Sequence, residues 1–152
     1  GVSRMDSFLG QILLVGFNYP PVNFMLCQGQ LLSTRDYTAL FSLLGTAYGG
    51  DGVSTFALPN LCGRTPIGTG QSPGLSPYFL GQAGGTETNT LLTQNLNLNI
   101  GPGIQHVMTS TNSNDPLLPT VGASPNLPMN NMPPYLAMNY IICVNGYFPP
   151  RQ

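Results

Sequence analysis

The fold of this chain is decided by residues 33–68, which read STRDYTALFSLLGTAYGGDGVSTFALPNLCGRTPIG. Three patterns follow one another in this stretch: apolar residues at helical spacing, a turn of three glycines around one aspartate, and an alternating strand. A proline then ends the strand pattern. The order predicts a helix packed beside a strand, and no residue type in the stretch is spaced for catalysis.

The first pattern predicts a helix over about residues 34–44. Ser33 is a suitable N-cap, and Asp36 three residues later completes an arrangement like a capping box and places negative charge at the positive end of the helix dipole. Gly45 is suited to end the helix, because glycine readily takes a left-handed backbone conformation. Apolar residues at i, i+3, i+4 and i+7 form the face directed at the core: Tyr37, Leu40, Phe41 and Leu44.

The second pattern predicts a tight turn into a strand over residues 53–58. Glycines accept positive φ, and an aspartate side chain can bond to its own backbone in a turn. Pro59 is expected to end the strand, because it cannot donate to a ladder of hydrogen bonds. The residues given a structural role here are Gly49, Gly50, Asp51, Gly52, Pro59 and Arg64.

Further strands are predicted on both sides of this stretch. Residues 8–17 indicate a buried strand, and residues 24–32 a short strand followed by a turn at Gly29. Residues 135–148 return to a strand-like composition, with three tyrosines, two isoleucines, one valine and one phenylalanine. We expect this closing segment to pair with residues 12–15 in a central sheet.

The domain organisation follows from a change in composition along the chain. Residues 5–64 and 130–152 predict one α+β core, a small mixed sheet with one packed amphipathic helix. Residues 65–129 are rich in glycine, proline, serine, threonine and asparagine and predict a variable, loop-rich β insertion. Residues 1–4 precede Met5 and are expected to be either an expression remnant or an N-terminal extension.

Composition favours self-association and disfavours several other functions. Charged residues are only 6% of the chain, against roughly 25% in an average soluble domain, so identical subunits can pack with little repulsion. With a net charge of −1, no lysine and four dispersed arginines, the chain lacks the basic surface that nucleic acid requires. The longest apolar runs are far shorter than the roughly 20 residues of a membrane span.

Candidate catalytic groups are few, and we expect no enzyme and no cofactor. His106 is the only histidine, so a Ser-His-Asp or Cys-His arrangement would have to be built around it. Its acidic residues are widely separated, and only tertiary structure could pair two of them for glycoside hydrolysis. The acidic residues are Asp6, Asp36, Asp51, Glu87 and Asp115.

The three cysteines leave two alternatives open. Cys27, Cys62 and Cys143 show no C-x-x-C spacing, so the sequence predicts no zinc site and no redox motif. They are expected either to be buried thiols that pack as small apolar groups or to form one disulfide with a thiol left over.

A surface for binding sugars is a further candidate. Aromatic faces can stack on the C–H surfaces of a sugar, and amides can bond to its hydroxyl groups. The alternative is that these residues are solvated or pack between subunits. The candidates for ligand binding are Tyr78, Phe79, Gln82, Asn112 and Asn114.

Several motifs, taken in order, resemble those of the phage tail-collar domain family, which includes bacterial relatives named microcystin-dependent proteins. They correspond to an opening strand, a Cys-Asp-Gly-Gln turn, the helix with its Gly-Gly-Asp-Gly turn, a Leu-Pro-Asp-Leu-Arg-Gly-Arg segment, a Gly-Gln-x-Gly-Gly-x-Glu segment and a closing segment. In this chain they lie at residues 8–12, 26–32, 37–52, 56–64, 81–87 and 130–142.

The chain departs from this pattern at informative positions. Gln28 stands where aspartate is usual, Phe24 where tryptophan is frequent, and Cys62 where arginine is frequent. The last two substitutions suit further burial. Residues 95–100 read NLNLNI where some tail proteins carry closely spaced histidines that bind metal, so no metal site is expected here.

The resemblance implies a non-enzymatic, extracellular structural subunit that assembles with itself into a fibre or a trimer resembling a tail fibre. The alternative that it implies is an adhesin tip, of a phage or of a tail derived from a phage, that binds a receptor or glycan. The expected partners are copies of the same chain and, in the alternative, a cell-surface glycan. The expected location is outside the cell or in a virion tail.

Overall fold

A computed structural model describes residues 7–90 and 128–152 of the chain. The chain divides into two compact units, the first Gly1–Gly84 with Leu136–Gln152 and the second Gly85–Tyr135. Their secondary structure elements, in order, are β1 (Ile12–Val15), β2 (Phe24–Leu26), β3 (Leu31–Ser33), α1 (Thr38–Leu44), β4 (Thr55–Ala57), β5 (Thr88–Thr90), β6 (Pro128–Asn130) and β7 (Asn139–Cys143).

The first unit contains an antiparallel sheet in the order β1-β7-β2. Leu13 lies opposite Ile141, and Met25 lies opposite Ile142. The predicted pairing of residues 12–15 with the closing segment is therefore confirmed. β7 is the central strand of this sheet, and its residues Ile141 and Ile142 are buried in the core.

β1 is less buried than the sequence predicts. It is an edge strand of four residues, with Ile12 and Leu14 exposed and Leu13 and Val15 half-buried. Only one face of an edge strand needs to meet the core, so the remaining apolar side chains stay at the surface. The prediction of a buried strand over residues 8–17 is wrong in both length and burial.

A second pair of strands is formed by β3, which comes before the helix in sequence, and β4, which comes after it. Leu32 lies opposite Phe56, and Gly29 before β3 takes the positive φ that the predicted turn requires. β4 is shorter than predicted and ends two residues before Pro59. Val53, at the start of the predicted strand, is 83% exposed and lies in the turn instead.

The helix α1 begins four residues later than predicted. Its N-cap is Tyr37, with no side-chain capping bond, and Ser33 is instead the last residue of β3. The Ser33 hydroxyl accepts the Asp36 N–H at 3.4 Å, within the turn that precedes the helix. Thr34 explains the delay, because its N–H and hydroxyl donate to the carbonyls of Ser54 and Val53 and continue the pairing of β3 with β4.

The end and the buried face of α1 agree with the sequence. The helix ends at Leu44, and Gly45 takes a φ of 54° while its N–H donates to the Phe41 carbonyl. Leu40 is buried in the core cluster. The rest of that cluster comprises Leu9, Cys27, Leu32, Phe56, Leu58 and Ile142, with Tyr37, Phe41, Leu43 and Leu44 packed against it.

The described part of the second unit is a short antiparallel ladder of β5 and β6. Asn89 lies opposite Met129, and every residue of both strands is exposed within this single chain. Residues 91–127 and 1–6 lie outside the described residues, so most of the predicted insertion and the predicted remnant or extension stay predictions.

The predicted α+β class is confirmed in its coarse form. The described residues form mainly small antiparallel sheets with one short helix. The sheet is not mixed as predicted, since each pair of strands in residues 7–90 and 128–152 is antiparallel, and parallel pairing there is limited to the isolated bridge between Phe8 and Tyr147.

Replacing Gly50 by alanine tests the close approach of the turn to β4. Gly50 has a φ of 91°, and a Cβ built there would meet the Cα of Phe56. We expect Gly50→Ala to destabilise the protein by about 2–4 kcal/mol, from backbone strain and overpacking, measured by urea denaturation. Gly16→Ala is the matched control, because no atom lies within 4 Å of its Cβ position. Equal stability of the two variants would contradict this account of the turn.

Candidate functional site

The candidate site is the exposed segment, residues 62–84, which follows β4 in the first unit. Each of its residues is exposed in the single chain, and so are residues 85–90 beyond it. Its first end is held by the Leu61 N–H, which donates to the Cys27 carbonyl at 3.0 Å, and by the Asn60 side chain, which accepts the Cys62 N–H. Pro59, just before it, is buried and directs the chain out of the β3–β4 pair.

A loop within the exposed segment is closed by its own backbone. Gly70 and Tyr78 exchange two hydrogen bonds, of 2.8 and 2.9 Å, in an antiparallel bridge. Between them, the Leu75 N–H donates to the Ser72 carbonyl, and Gly74 supplies the positive φ of this turn. The loop therefore has a defined conformation although its side chains face solvent.

The second end of the segment is held at Gly81. A Cβ built at Gly81 would clash with the carbonyl oxygen of Ala47, in the turn after α1, so only glycine fits this close approach. Beside it, the Gln82 side-chain oxygen accepts the Phe79 N–H, and the Gln82 N–H donates to the Phe79 carbonyl. The segment is thus anchored to the core near both of its ends.

Between these anchors the segment presents apolar side chains that stay exposed among the described residues. Phe79 is 71% exposed and Leu80 is 61% exposed. Soluble monomers rarely leave large contiguous apolar surface uncovered, and larger patches mark interaction sites. The exposed large apolar side chains of the segment are Ile67, Leu75, Tyr78, Phe79 and Leu80.

The structure brings three of the five predicted ligand-binding residues into this segment. Tyr78, Phe79 and Gln82 lie within five residues of one another and are exposed. The carbonyl of the Gln82 amide is already occupied by the Phe79 N–H, which leaves its NH₂ group for any ligand. Asn112 and Asn114 lie outside the described residues.

Sequence reasoning missed Ile67, Leu75 and Leu80 as surface residues. A single apolar residue between prolines and glycines has no periodic pattern from which its burial could be derived. The available signal was the composition of the segment, which carries large apolar residues without the regular elements that would bury them. Arg64, given a structural role from the sequence, is exposed at the start of the segment, where its N–H donates to the Leu61 carbonyl.

Among the described residues, the Asp51 carboxylate, in the turn before β4, has the largest network of hydrogen bonds to a charged group. It accepts the N–H groups of Val53, Ser54 and Thr55 at 2.8–2.9 Å, and the Ser54 hydroxyl at 2.8 Å. These bonds, led by that of the Thr55 N–H, lower the pKa of Asp51 far below its ordinary value. The carboxylate therefore organises the turn, and Gly49, Gly50 and Gly52 beside it each have positive φ.

The described residues offer no clustered ligands for a metal ion. In residues 7–90 and 128–152, no three histidine, cysteine, aspartate or glutamate side chains converge. His106, Asp6 and Asp115 lie outside those ranges, so the single histidine is not placed. No helix in the same ranges is long and apolar enough to span a membrane.

The cysteines differ in their environments. All three are free; Cys27 and Cys143 are buried, and Cys62 is exposed, so the expectation of three buried thiols is wrong for Cys62. Burial, together with the nearby Cys62 thiol, raises the pKa of Cys27 to about 11. Burial also raises the pKa of Cys143, against a hydrogen bond with the Asn145 backbone that lowers it. Cys62 is exposed because the chain leaves the core at this position.

A comparison with known protein families finds a match to the part of the chain that contains α1 and the Asp51 turn. Residues 10–66 match the family model described as Phage Tail Collar Domain. The match covers less than half of the chain, which over these residues is similar to the phage tail collar family. The match confirms the resemblance seen in the sequence, although the motifs at residues 81–87 and 130–142 lie beyond it.

The collar match indicates a structural role in a phage tail fibre. No curated protein matches the chain. Within the collar segment lie β1 to β4, α1 and the first residues of the exposed segment. The remainder of the exposed segment follows directly from the collar domain in sequence.

The Asp51 turn predicts a specific loss of stability in acid. Because the folded pKa of Asp51 lies below its unfolded value of about 3.9, its contribution is complete above that pH and is lost as the pH falls further. We expect the melting temperature of the wild type to decrease when the pH is lowered from about 4. The Asp51→Asn variant should be less stable at pH 7, and its melting temperature should depend less on pH in acid.

Thermal melts of both proteins between pH 7 and pH 2 would measure this effect. Asp36→Asn is the control, because the Asp36 carboxylate accepts no hydrogen bond from the described residues. Its acid dependence should match that of the wild type. An Asp51→Asn variant with an unchanged acid dependence would show that the carboxylate does not organise the turn.

Proposed function

We propose that this chain is a non-enzymatic structural subunit that assembles with copies of itself into a trimeric or fibrous part of a tail. The observation that carries the proposal is the exposed segment, residues 62–84. It is anchored near both ends and closed by its own turns, yet it exposes five large apolar side chains. A segment of this kind is stabilised when a partner covers it.

Charge supports a second copy of the chain as that partner. The chain has a net charge of −1 and only 6% charged residues, so copies can approach without strong repulsion. Further apolar side chains lie at the surface outside the segment, as on the open face of β1 at Ile12 and Leu14. A neutral, apolar surface is typical of interfaces between identical subunits. The proposed location, outside the cell or in a virion tail, rests on the collar match.

The alternative is an adhesin tip that binds a glycan through Tyr78, Phe79 and Gln82. It is supported by the exposure of these side chains. It is weaker than self-assembly because the Gln82 carbonyl is used within the segment, and because the aliphatic Ile67, Leu75 and Leu80 offer a sugar no hydrogen bonds. Glycan-array binding by a stable, discrete oligomer would favour this alternative.

Removing apolar side chains from the exposed segment tests self-assembly. In the triple variant Leu75→Ser/Phe79→Ser/Leu80→Ser, three groups that contribute about 1.5–3 kcal/mol each when buried are lost. We expect the dissociation constant of the oligomer to rise by about a thousandfold or more, which converts the protein to monomers at micromolar concentration. Sedimentation equilibrium gives the oligomeric state, and electron microscopy distinguishes fibres from discrete trimers.

Val53→Ser is the matched control, because Val53 is apolar and even more exposed than these three residues but lies in the Asp51 turn, outside the segment. Its oligomeric state should equal that of the wild type. The far-ultraviolet circular dichroism of the triple variant should also be unchanged, since its three side chains are outside the core. A wild type that is monomeric at tens of micromolar, or a triple variant that assembles normally, would refute the proposal.

A further inference from the structure

Two cysteines that are far apart in sequence meet at the base of the exposed segment. Gln28 and Asn60 form an antiparallel bridge, which places Leu61 opposite Cys27 and Cys62 one residue further on. The Leu61 N–H donates to the Cys27 carbonyl at 3.0 Å. The Sγ atom of Cys62 lies 3.9 Å from that same carbonyl oxygen.

The two cysteines also line the same small open cavity. Its lining includes Cys27 and Cys62, together with Met138 and Tyr140. Cys27 is 3% exposed, whereas Cys62 is open to solvent. A reagent from solution therefore meets the Cys62 thiol first, and Cys27 is a buried neighbour of Cys62 in the lining of this cavity.

The register of the central sheet keeps the third cysteine away from this pair. The Cys27 N–H donates to the Tyr140 carbonyl, while Cys143 lies opposite Phe24 at the other end of β2. Three residues of strand separate these positions by about 10 Å. A disulfide needs Cα atoms about 4.4–6.8 Å apart, so Cys143 is out of reach of Cys27. Its Sγ atom instead donates to the Asn145 carbonyl.

We propose that Cys27 and Cys62 form a disulfide within one chain when the protein is exposed to a disulfide oxidant. The bond would link the end of β2 to the start of the exposed segment and close a loop that contains β3, α1 and β4. Both sulfur atoms belong to one chain, so this proposal does not rest on self-assembly.

Oxidation proceeds by two exchanges with glutathione disulfide as the oxidant. The Cys62 thiolate attacks one sulfur of the oxidant, the S–S bond breaks, and one glutathione thiolate leaves. The Cys27 thiolate then attacks the Cys62 Sγ atom and releases the second glutathione thiolate. The two protein thiols lose two protons and two electrons in total, and the electrons reduce the oxidant to two thiols.

The second exchange should be the slow one. Burial holds the pKa of Cys27 near 11, so only a small fraction of this thiol is ionised at pH 7. The rate of ring closure should therefore rise with pH between 7 and 9, by close to tenfold for each pH unit. At low pH the mixed disulfide of Cys62 with glutathione should accumulate.

The test is to equilibrate the folded chain with oxidised glutathione, count free thiols and map disulfide-linked peptides by mass spectrometry. We expect the count to fall from three to one, with Cys27 linked to Cys62, and the melting temperature to rise by about 5 °C or more. Cys143→Ser is the matched control, because it removes a buried thiol outside the pair and should still form the bond. Cys62→Ser should abolish the bond and the gain in melting temperature.

Three results would overturn the proposal. One is a main product that links Cys143 to either of the other cysteines. Another is a main product that links Cys62 to Cys62 of a second molecule, seen as a dimer on a non-reducing gel. The last is a folded protein that retains three titratable thiols, or stops at the Cys62 mixed disulfide, after equilibration at pH 9.

Discussion

The first unit depends on the pairing of β7 with β1 on one side and β2 on the other. A strand in the middle of a sheet bonds along both edges, so its backbone groups are satisfied where its side chains are buried. Ile141 and Ile142 can therefore lie in the core, with Leu40 of α1 in the same buried unit. Because β7 comes from the far end of the chain, the core requires contacts between residues distant in sequence, which form slowly during folding.

The central sheet also determines which part of the chain remains exposed. The chain after β4 stays bonded to the core as far as Leu61, whose N–H donates to the Cys27 carbonyl just beyond β2. After that bond, the exposed segment contacts the core again at Gly81. Between these anchors its apolar side chains are exposed, and no strand or helix in residues 7–90 and 128–152 covers them. A fixed backbone with uncovered apolar groups favours a partner surface over a catalytic pocket.

One backbone hydrogen bond thus serves two features of the molecule. The bond from Leu61 to Cys27 anchors the base of the exposed segment, and the same pairing places the Cys62 thiol beside Cys27. A covalent link at this position would hold the base of the segment to the core without changing its exposed face. The core and the base of the exposed segment would then be joined by both a hydrogen bond and a disulfide.

Local sequence by itself determined the features that depend on neighbouring residues. Gly45 ends α1, the glycines around Asp51 form the turn, and β4 stops before Pro59, because positive φ and a missing donor are properties of single residues. The spacing of Leu40 with its neighbours specified the buried face of the helix, and the family motifs pointed to the collar domain.

Tertiary structure decided the rest. Helix α1 starts at Thr38 because Thr34 bonds to residues beyond the helix, and Cys62 is exposed because the chain leaves the core there. These outcomes depend on contacts between distant segments, which a local pattern does not contain.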